Sequence, residues 1–252
     1  MAPQYAEGSP LWVDLSSGDV AGSVEFYRQL MNWDVHDLGE PFGHYTMVSH
    51  QGSVVGAISP GYRERAVSGW TVFFKTLNAT ATRDAVVSAG GSVLIEPTDV
   101  VDRTTFAHYL DPTGALFGVT RPRKDPGAQK WGQLGSVWWI ELHTPDTGRA
   151  LAFYRKVLGW HTTAQRINGA AYTLLTAADH HDAFGGAHQV TDSFDDPRWI
   201  TYLEVGDCDA ATAKATLLGA TIDLEPTTIP DTGRVAILTD PQGARFGLAN
   251  RI

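Results

Sequence analysis

The sequence predicts an α+β protein in which tandem βαβββ modules form a mostly antiparallel sheet with helices on its outer face. Two observations support this prediction: the chain is duplicated, and each copy alternates strand-like segments with amphipathic helical ones. The duplication appears when residues 11–33 are set over residues 138–160, because F-Y-R at 26–28 then falls on F-Y-R at 153–155. The motif D-P-x-G-x-x-F also returns near the end of each copy.

Each copy begins with a short strand and a capped helix. Apolar and polar residues alternate over residues 11–16 and 138–143, as expected for strands with one buried face. Asp19 and Asp146 follow, and their carboxylates can accept the unpaired amides of a first helical turn. One apolar stripe then runs along each helix: Phe26, Tyr27, Leu30 and Met31, matched by Phe153, Tyr154, Val157 and Leu158.

The remainder of each copy predicts a hairpin, a strand, a second helix and a final hairpin. The predicted positions are a hairpin near 45–58 (171–188), a strand at 70–76 (199–205) and a helix near 79–89 (208–218). The final hairpin closes on the D-P-x-G turn, whose proline and glycine suit a tight turn.

Four segments follow from this pattern. They are an N-terminal tail (1–9), a first βαβββ module (10–120), a linker (121–135) and a second βαβββ module (136–252). The linker is rich in proline and glycine, charged and aperiodic. Its basic cluster R-P-R-K (121–124) is interpreted as a solvated linker rather than a binding patch.

Composition and net charge exclude some classes of binding partner for this protein. The chain has 252 residues, 43% of them hydrophobic and 19% charged, as in ordinary globular proteins. Its formal net charge of −9 argues against nucleic acid, and no apolar run approaches the about 20 residues needed to span a bilayer. The start M-A-P-Q-Y-A-E-G-S-P lacks the features of a secretory signal, and the single Cys208 fits a reducing compartment. We therefore expect a cytoplasmic protein with neither a nucleic-acid nor a membrane partner.

Strand alternation assigns a second, helix-free face to the predicted sheet. In the first copy this face carries Trp12, Asp14, Thr71 and Phe73. In the second copy it carries Trp139, Glu141, Ile200, Tyr202 and Glu204. An aromatic face with carboxylates and no covering helix predicts a concave ligand surface.

The repeated F-Y-R-x-x-L/M-x-W helix and D-P-x-G-x-x-F ending resemble the vicinal oxygen chelate superfamily over residues 9 to 252. That superfamily includes glyoxalase I, bleomycin-resistance proteins and extradiol dioxygenases. The first strands, W-V-D-L and W-x-E-L, resemble a two-module actinobacterial-type branch labelled glyoxalase-like or hydroxylase. The resemblance implies paired modules that curl into a cup, inside which metalloenzyme members hold a divalent ion.

The resemblance also implies where metal ligands would stand. These positions are Trp12, Thr71 and Gly118 in the first copy and Trp139, Ile200 and Gly247 in the second. A divalent ion needs imidazole, carboxylate or thiolate donors, which these residues lack. We therefore expect no family metal centre and no cofactor. The two glycines either open room where a ligand would stand or let an apolar group approach the backbone.

Asp14 and Glu141 are the candidate catalytic residues, because they are equivalent in the repeat and lie on the ligand-facing side. Desolvation by aromatic neighbours raises the pKa of a carboxyl group, which suits a general acid or base. If their strands meet near a pseudo-twofold axis, the two could share a proton. The alternative, which we favour, is that each accepts structural hydrogen bonds.

His143 is a third candidate, since it shares the parity of Glu141 and could form an acid–base pair or part of a nonstandard metal site with it. Its counterpart in the first copy is Ser16, so such a site would be asymmetric. The favoured alternative is a half-exposed histidine at a strand end.

The candidate ligand-binding residues are the aromatic ones of the inner face and the two glycines: Trp12, Phe73, Gly118, Trp139, Tyr202 and Gly247. Flat rings stack well on planar ligands. The alternative is that these rings pack between the two modules.

Together these observations favour a metal-free cup that binds a hydrophobic small molecule, with an aromatic one favoured, in a monomer or homodimer. The first alternative is a cofactor-independent enzyme of hydroxylase-like, isomerase or lyase type that uses Asp14 or Glu141 as acid or base. A metal-dependent glyoxalase or dioxygenase ranks third.

Overall fold

A computed structural model describes residues 5–61, 68–190 and 196–252. The described residues form four helices and sixteen strands. In the first half these are β1 (Pro10–Ser17), α1 (Val20–Met31), β2 (Asp34–Asp37), β3 (Thr46–His50), β4 (Ser53–Pro60), β5 (Gly69–Lys75), α2 (Ala79–Ser88), β6 (Ser92–Val100), β7 (Thr104–Leu110) and β8 (Leu116–Pro122). In the second half they are β9 (Val137–Thr144), α3 (Thr147–Leu158), β10 (His161–Ile167), β11 (Ala170–Thr176), β12 (Gly185–Gln189), β13 (Arg198–Glu204), α4 (Cys208–Leu217), β14 (Thr221–Ile229), β15 (Gly233–Thr239) and β16 (Arg245–Arg251).

The order β-α-β-β-β occurs twice in each half, so the tandem βαβββ fold is confirmed. Each duplicated half therefore contains two βαβββ units rather than one. The sequence pattern missed β2 and β10. All four residues of β2 are exposed, and five of the seven in β10 are exposed. Without a buried face these strands show no apolar alternation, so periodicity cannot detect them.

Each half forms its own eight-stranded mixed sheet. The first sheet has the order β2-β3-β4-β1-β5-β8-β7-β6, and the second has the equivalent order β10-β11-β12-β9-β13-β16-β15-β14. At the centre of each sheet the first strands of its two βαβββ units run antiparallel, with Asp14 opposite Thr71 and Glu141 opposite Ile200.

The helices begin as the sequence predicts. The side chain of Asp19 accepts a hydrogen bond from the amide of Gly22, and that of Asp146 accepts one from the amide of Arg149. The predicted stripes are buried apart from the half-buried Val157. No helix in the described ranges is long and apolar enough to cross a bilayer.

The helix-bearing faces of the two halves share one hydrophobic core. Ring pairs cross the boundary, such as Phe26 with Phe246 at 6.0 Å and Phe117 with Tyr154 at 5.3 Å between centroids. The Tyr27 hydroxyl also donates to the carboxylate of the Asp240 turn at 3.1 Å. The rings between the halves are therefore those of the helix faces, and the inner faces of both sheets lie outside this core.

Candidate functional site

A cavity of about 530 Å³ opens on the inner face of the first sheet. Its wall combines strands β1 and β5 with a 3-10 turn at Glu40–Phe42, the β6–β7 hairpin and the start of the linker. Five aromatic side chains line it: Trp12, Phe42, Tyr45, Phe73 and Phe106. Three of the predicted site residues, Trp12, Asp14 and Phe73, thus line one cavity.

Asp14 is the buried acid of this cavity, with 1% of its surface exposed. The Ser59 hydroxyl donates to its two oxygens at 3.4 and 3.5 Å, and the Tyr45 hydroxyl also hydrogen-bonds to it. Burial raises the pKa of Asp14 to about 6, although both hydrogen bonds act in the opposite direction. A substantial fraction of Asp14 therefore carries a proton just below neutral pH.

The same tryptophan–tyrosine–carboxyl chain occurs in both halves. The indole N–H of Trp12 donates to the Tyr45 hydroxyl at 2.9 Å, and that of Trp139 donates to the Tyr172 hydroxyl at 2.9 Å. Tyr172 in turn hydrogen-bonds to Glu141. Tyr45 and Tyr172 are separated by the same number of residues as the two F-Y-R motifs, but the sequence held no signal that these tyrosines would contact the acids.

Glu141 has more partners than Asp14. His143 Nε2 lies 2.7 Å from its Oε2 atom, and the Tyr202 hydroxyl donates to the same oxygen at 3.0 Å. Burial by itself raises the pKa of Glu141, but these bonds, that of Tyr172 and the charge of His143 outweigh burial and lower it. The expected rise in the pKa of Glu141 is therefore wrong, because the hydrogen bonds from His143, Tyr172 and Tyr202 together outweigh burial; of these partners the sequence indicated His143 alone.

The two acids also differ in their surroundings. On the inner face of the second sheet, buried apolar side chains form a small cluster. This cluster consists of Ile200, Tyr202, Val235, Ile237 and Ala249, with Trp138, Trp139 and Ile229 packed against it. Glu141, His143, Trp139 and Tyr202 are brought together as predicted, but beside a packed cluster.

The condition for a proton shared between Asp14 and Glu141 is not met. Their strands, β1 and β9, belong to different sheets, and the two carboxyl groups have separate hydrogen-bond partners. Each half therefore forms its own inner face, whereas the sequence suggested one cup completed by both.

Gly118 and Gly247 let an aromatic ring lie against the backbone. A Cβ atom at Gly118 would overlap the ring of Phe73, and one at Gly247 would overlap the ring of Tyr202. Of the two explanations considered from the sequence, close approach of a ring is the one that the packing supports.

The six implied ligand positions do not fit a divalent ion. Each triad combines a tryptophan and a glycine with either threonine or isoleucine, and both indole N–H groups are already bound to tyrosines. Across residues 5–61, 68–190 and 196–252, no group of three or more His, Cys, Asp or Glu side chains is arranged to hold a metal ion.

The linker takes part in the cavity, which the sequence did not indicate. The amide of Ala128 donates to the carbonyl of Leu11 at 2.9 Å, and that of Gln129 donates to the carbonyl of Val54 at 2.7 Å. These bonds hold linker residues Asp125 to Gly127 and Gln129 on the cavity wall. The position of the linker is set by backbone hydrogen bonds between segments that are remote in the sequence, and residue types do not reveal such bonds.

The basic cluster of the linker is neutralised by acids. Arg123 contacts Asp99 at 2.8 Å, and Lys124 pairs with Asp102. Exposed ion pairs of this kind add little stability, but they offset the charge of two of the three basic side chains in the cluster. The linker thus lines part of the cavity wall, and two of its basic side chains are paired with acids.

Each half joins two βαβββ units in one sheet, and this arrangement is repeated along the chain. It defines the class of paired βαβββ proteins. The family model of the Glyoxalase/Bleomycin resistance protein/Dioxygenase superfamily matches residues 9–119 and 136–248, and the chain belongs to this superfamily.

Relatives from Streptomyces and Mycobacterium match nearly the whole chain. The anthracycline biosynthesis protein DauV of Streptomyces sp. (strain C5) is 35% identical and covers 97% of this chain and 94% of its own. CFP32 of Mycobacterium tuberculosis (strain CDC 1551 / Oshkosh), named as a candidate glyoxylase, is 34% identical over 97% of this chain and 95% of its own. The Mn(II)-bound glyoxalase from Novosphingobium aromaticivorans has a similar fold, with a TM-score of 0.67, 15% identity, and coverage of 97% of this chain and 82% of its own.

Proposed function

We propose that the protein binds a hydrophobic small molecule with an aromatic body in the first-half cavity, without the metal ion of the superfamily's metalloenzymes. The observation that carries the proposal is the cavity of about 530 Å³ with five aromatic side chains and a buried carboxyl group in its wall. Ligand pockets of about 300–1,000 Å³ with apolar walls and few polar groups are typical of small-molecule sites. The lack of suitable donors at the implied ligand positions supports the metal-free part of the proposal.

The relatives support a small-molecule function without naming one ligand. One is named for anthracycline biosynthesis and another as a candidate glyoxylase, at nearly equal identity to this chain. Because these names point to different chemistry, the proposed ligand class depends on the cavity of this chain.

A second candidate is a cofactor-independent enzyme in which Asp14 moves a proton, with hydroxylase-like, isomerase or lyase chemistry. The observation that favours it is the pKa of Asp14, raised to about 6, because a general acid or base works best when its pKa lies near the working pH. Glu141 is less suited to this role, since His143, Tyr172 and Tyr202 all stabilise its ionised form.

Tryptophan fluorescence tests the location of the ligand. A panel of soluble two- and three-ring aromatic compounds should include some that quench the emission saturably, because a ring stacked in the cavity contacts Trp12. In Trp12→Phe most of this quenching should disappear. The matched variant Trp139→Phe, whose indole occupies the equivalent position beside the packed cluster, should retain it.

Three other results would be informative. Quenching lost only in Trp139→Phe would place the ligand in the second half, and no quenching by any compound would contradict the proposal. Chemical conversion of a bound compound during the titration would favour the enzymatic candidate.

A further inference from the structure

We propose that the ligand carries a protonated amine on its aromatic body and that Asp14 receives this amine. The inference rests on the proposed function, because it names the chemistry of the molecule bound in the same cavity. Three features carry the inference. The buried Asp14 has no cationic partner among the described residues, the buried hydroxyl of Thr71, which lies next to Asp14 but outside the cavity lining, has no hydrogen-bond partner, and five aromatic side chains line the cavity.

Asp14 is buried without a positive partner. Within the described ranges its contacts are the hydroxyl groups of Ser59 and Tyr45, both neutral. By contrast, its equivalent, Glu141, has His143 within 2.7 Å. Burying a carboxylate without an opposite charge is costly, and a ligand cation would remove that cost. The described residues thus provide no cation to balance the charge of Asp14, and a ligand can provide one.

The hydroxyl of Thr71 is the second feature. Thr71 lies directly opposite Asp14 across β1 and β5, is 1% exposed, and its Oγ1 atom makes no hydrogen bond to any described residue. The bonds from Ser59 to Asp14, at 3.4 and 3.5 Å, are also long. An ammonium group has three N–H donors, so one amine can bond to Asp14 and to neighbouring hydroxyl oxygens at once.

The rest of the lining also favours a cation. Aromatic faces attract an ammonium group, particularly where water is excluded, and five such side chains surround this cavity. The charged side chains of the lining are three aspartates, Asp14, Asp99 and Asp125, and one arginine, Arg103. Arg103 is held by both oxygens of Asp125 at 2.7 and 2.8 Å, and Asp99 contacts Arg123 at 2.8 Å, so these charges are paired with one another. Among the described lining residues, Asp14 is therefore the charged group without a charged partner, and its carboxylate attracts a cation and repels a ligand carboxylate.

Calorimetric titration with three matched naphthalene probes tests the inference. The probes are 2-(aminomethyl)naphthalene, its neutral analogue 2-naphthalenemethanol and its anionic analogue 2-naphthoate. At about pH 7.5 the amine is protonated, and it should bind at least about tenfold more tightly than the alcohol, with naphthoate weakest.

Three variants test which residues cause the tighter binding of the amine. Asp14→Asn should abolish the amine's advantage while leaving alcohol binding within about twofold, and Thr71→Val should reduce the advantage several-fold, because an acceptor is lost. Glu141→Gln removes the equivalent acid beside the packed cluster and should leave the advantage unchanged.

The outcomes separate the two proposals. Equal binding of amine and alcohol, or an amine preference that survives Asp14→Asn, overturns the amine inference and leaves the aromatic-binding proposal intact. Failure of all three probes to bind the unaltered protein contradicts the aromatic-binding proposal, and the amine inference fails with it.

Discussion

At the scale of single residues, the two equivalent acids show how local donors set the state of a carboxyl group. Asp14 and Glu141 are both buried beside a tryptophan–tyrosine pair, yet the pKa of Asp14 is raised and that of Glu141 is lowered. The difference comes from His143 and Tyr202, which donate to Glu141, whereas the equivalent residues of the first half are Ser16 and Phe73. Phe73 has no hydroxyl group, so burial dominates at Asp14.

This contrast predicts opposite effects of two amide substitutions on stability. The folded-state pKa of Asp14, about 6, lies above its ordinary value of 3.8, so the folded protein binds the extra proton between these values. Stability therefore falls as pH rises through this window and remains lower above it. Asp14→Asn should raise the free energy of unfolding at about pH 7.5 by roughly 2–3 kcal/mol, and flatten its dependence between about pH 4 and 6. Urea unfolding at several pH values measures both effects.

Glu141→Gln is the matched control. Since the pKa of Glu141 is lowered in the folded state, its ionised form stabilises the protein at neutral pH, and that stabilisation is lost as pH falls through the folded-state pKa. The substitution should therefore lower the free energy of unfolding at about pH 7.5. If Asp14→Asn lowers it by as much, Asp14 is a structural hydrogen-bonding group rather than one kept for a ligand.

At the scale of secondary-structure elements, the parallel pairing of a ring-bearing strand with a glycine-bearing strand shapes each inner face. Gly118 on β8 lies opposite Phe73 on β5, and Gly247 on β16 lies opposite Tyr202 on β13. In the first sheet the ring of Phe73 lines the cavity, whereas in the second the ring of Tyr202 belongs to the apolar cluster. The same backbone arrangement thus supports two different inner faces.

Gly118→Ala and Gly247→Ala should separate packing from ligand binding. Each added Cβ atom overlaps a ring, and overpacking of this kind costs about 1–3 kcal/mol of unfolding free energy. Both variants should therefore unfold at lower urea concentration. Gly118→Ala should also weaken binding of the aromatic probes, because the displaced Phe73 ring enters the cavity, while Gly247→Ala should bind them as before. Equal loss of binding in both variants would argue that the ligand does not contact Phe73.

At the scale of the whole molecule, the two halves are joined through their helix faces and keep separate inner faces. The shared core contains side chains from both halves, and hydroxyl groups on α1 and α3 reach the D-P-x-G turn of the opposite half. The Tyr27 hydroxyl donates to Asp240 at 3.1 Å, and the Tyr154 hydroxyl lies beside Asp111. Cytoplasmic localisation and a monomeric or homodimeric state stay predictions.

Because the core is shared, we expect the two halves to unfold in one transition. Tyr27→Phe leaves Asp240 and the indole N–H of Trp70 without their hydroxyl partner, which should cost about 1–3 kcal/mol. Tryptophan fluorescence and far-ultraviolet circular dichroism should report coincident midpoints that shift together. Two separate transitions, only one of them shifted by the substitution, would show that the halves fold independently.

The sequence by itself determined the duplication, the βαβββ pattern, the capped helices and the set of side chains on the inner faces. These features depend on local periodicity and on residues such as Asp19, whose capping role needs only its own helix. Tertiary structure decided that the halves form two separate sheets, that the linker lines a cavity, and that Asp14 faces it while Glu141 lies beside a packed cluster. These outcomes depend on which remote segments pair and which groups lose their water, and neither is encoded in the spacing of neighbouring residues.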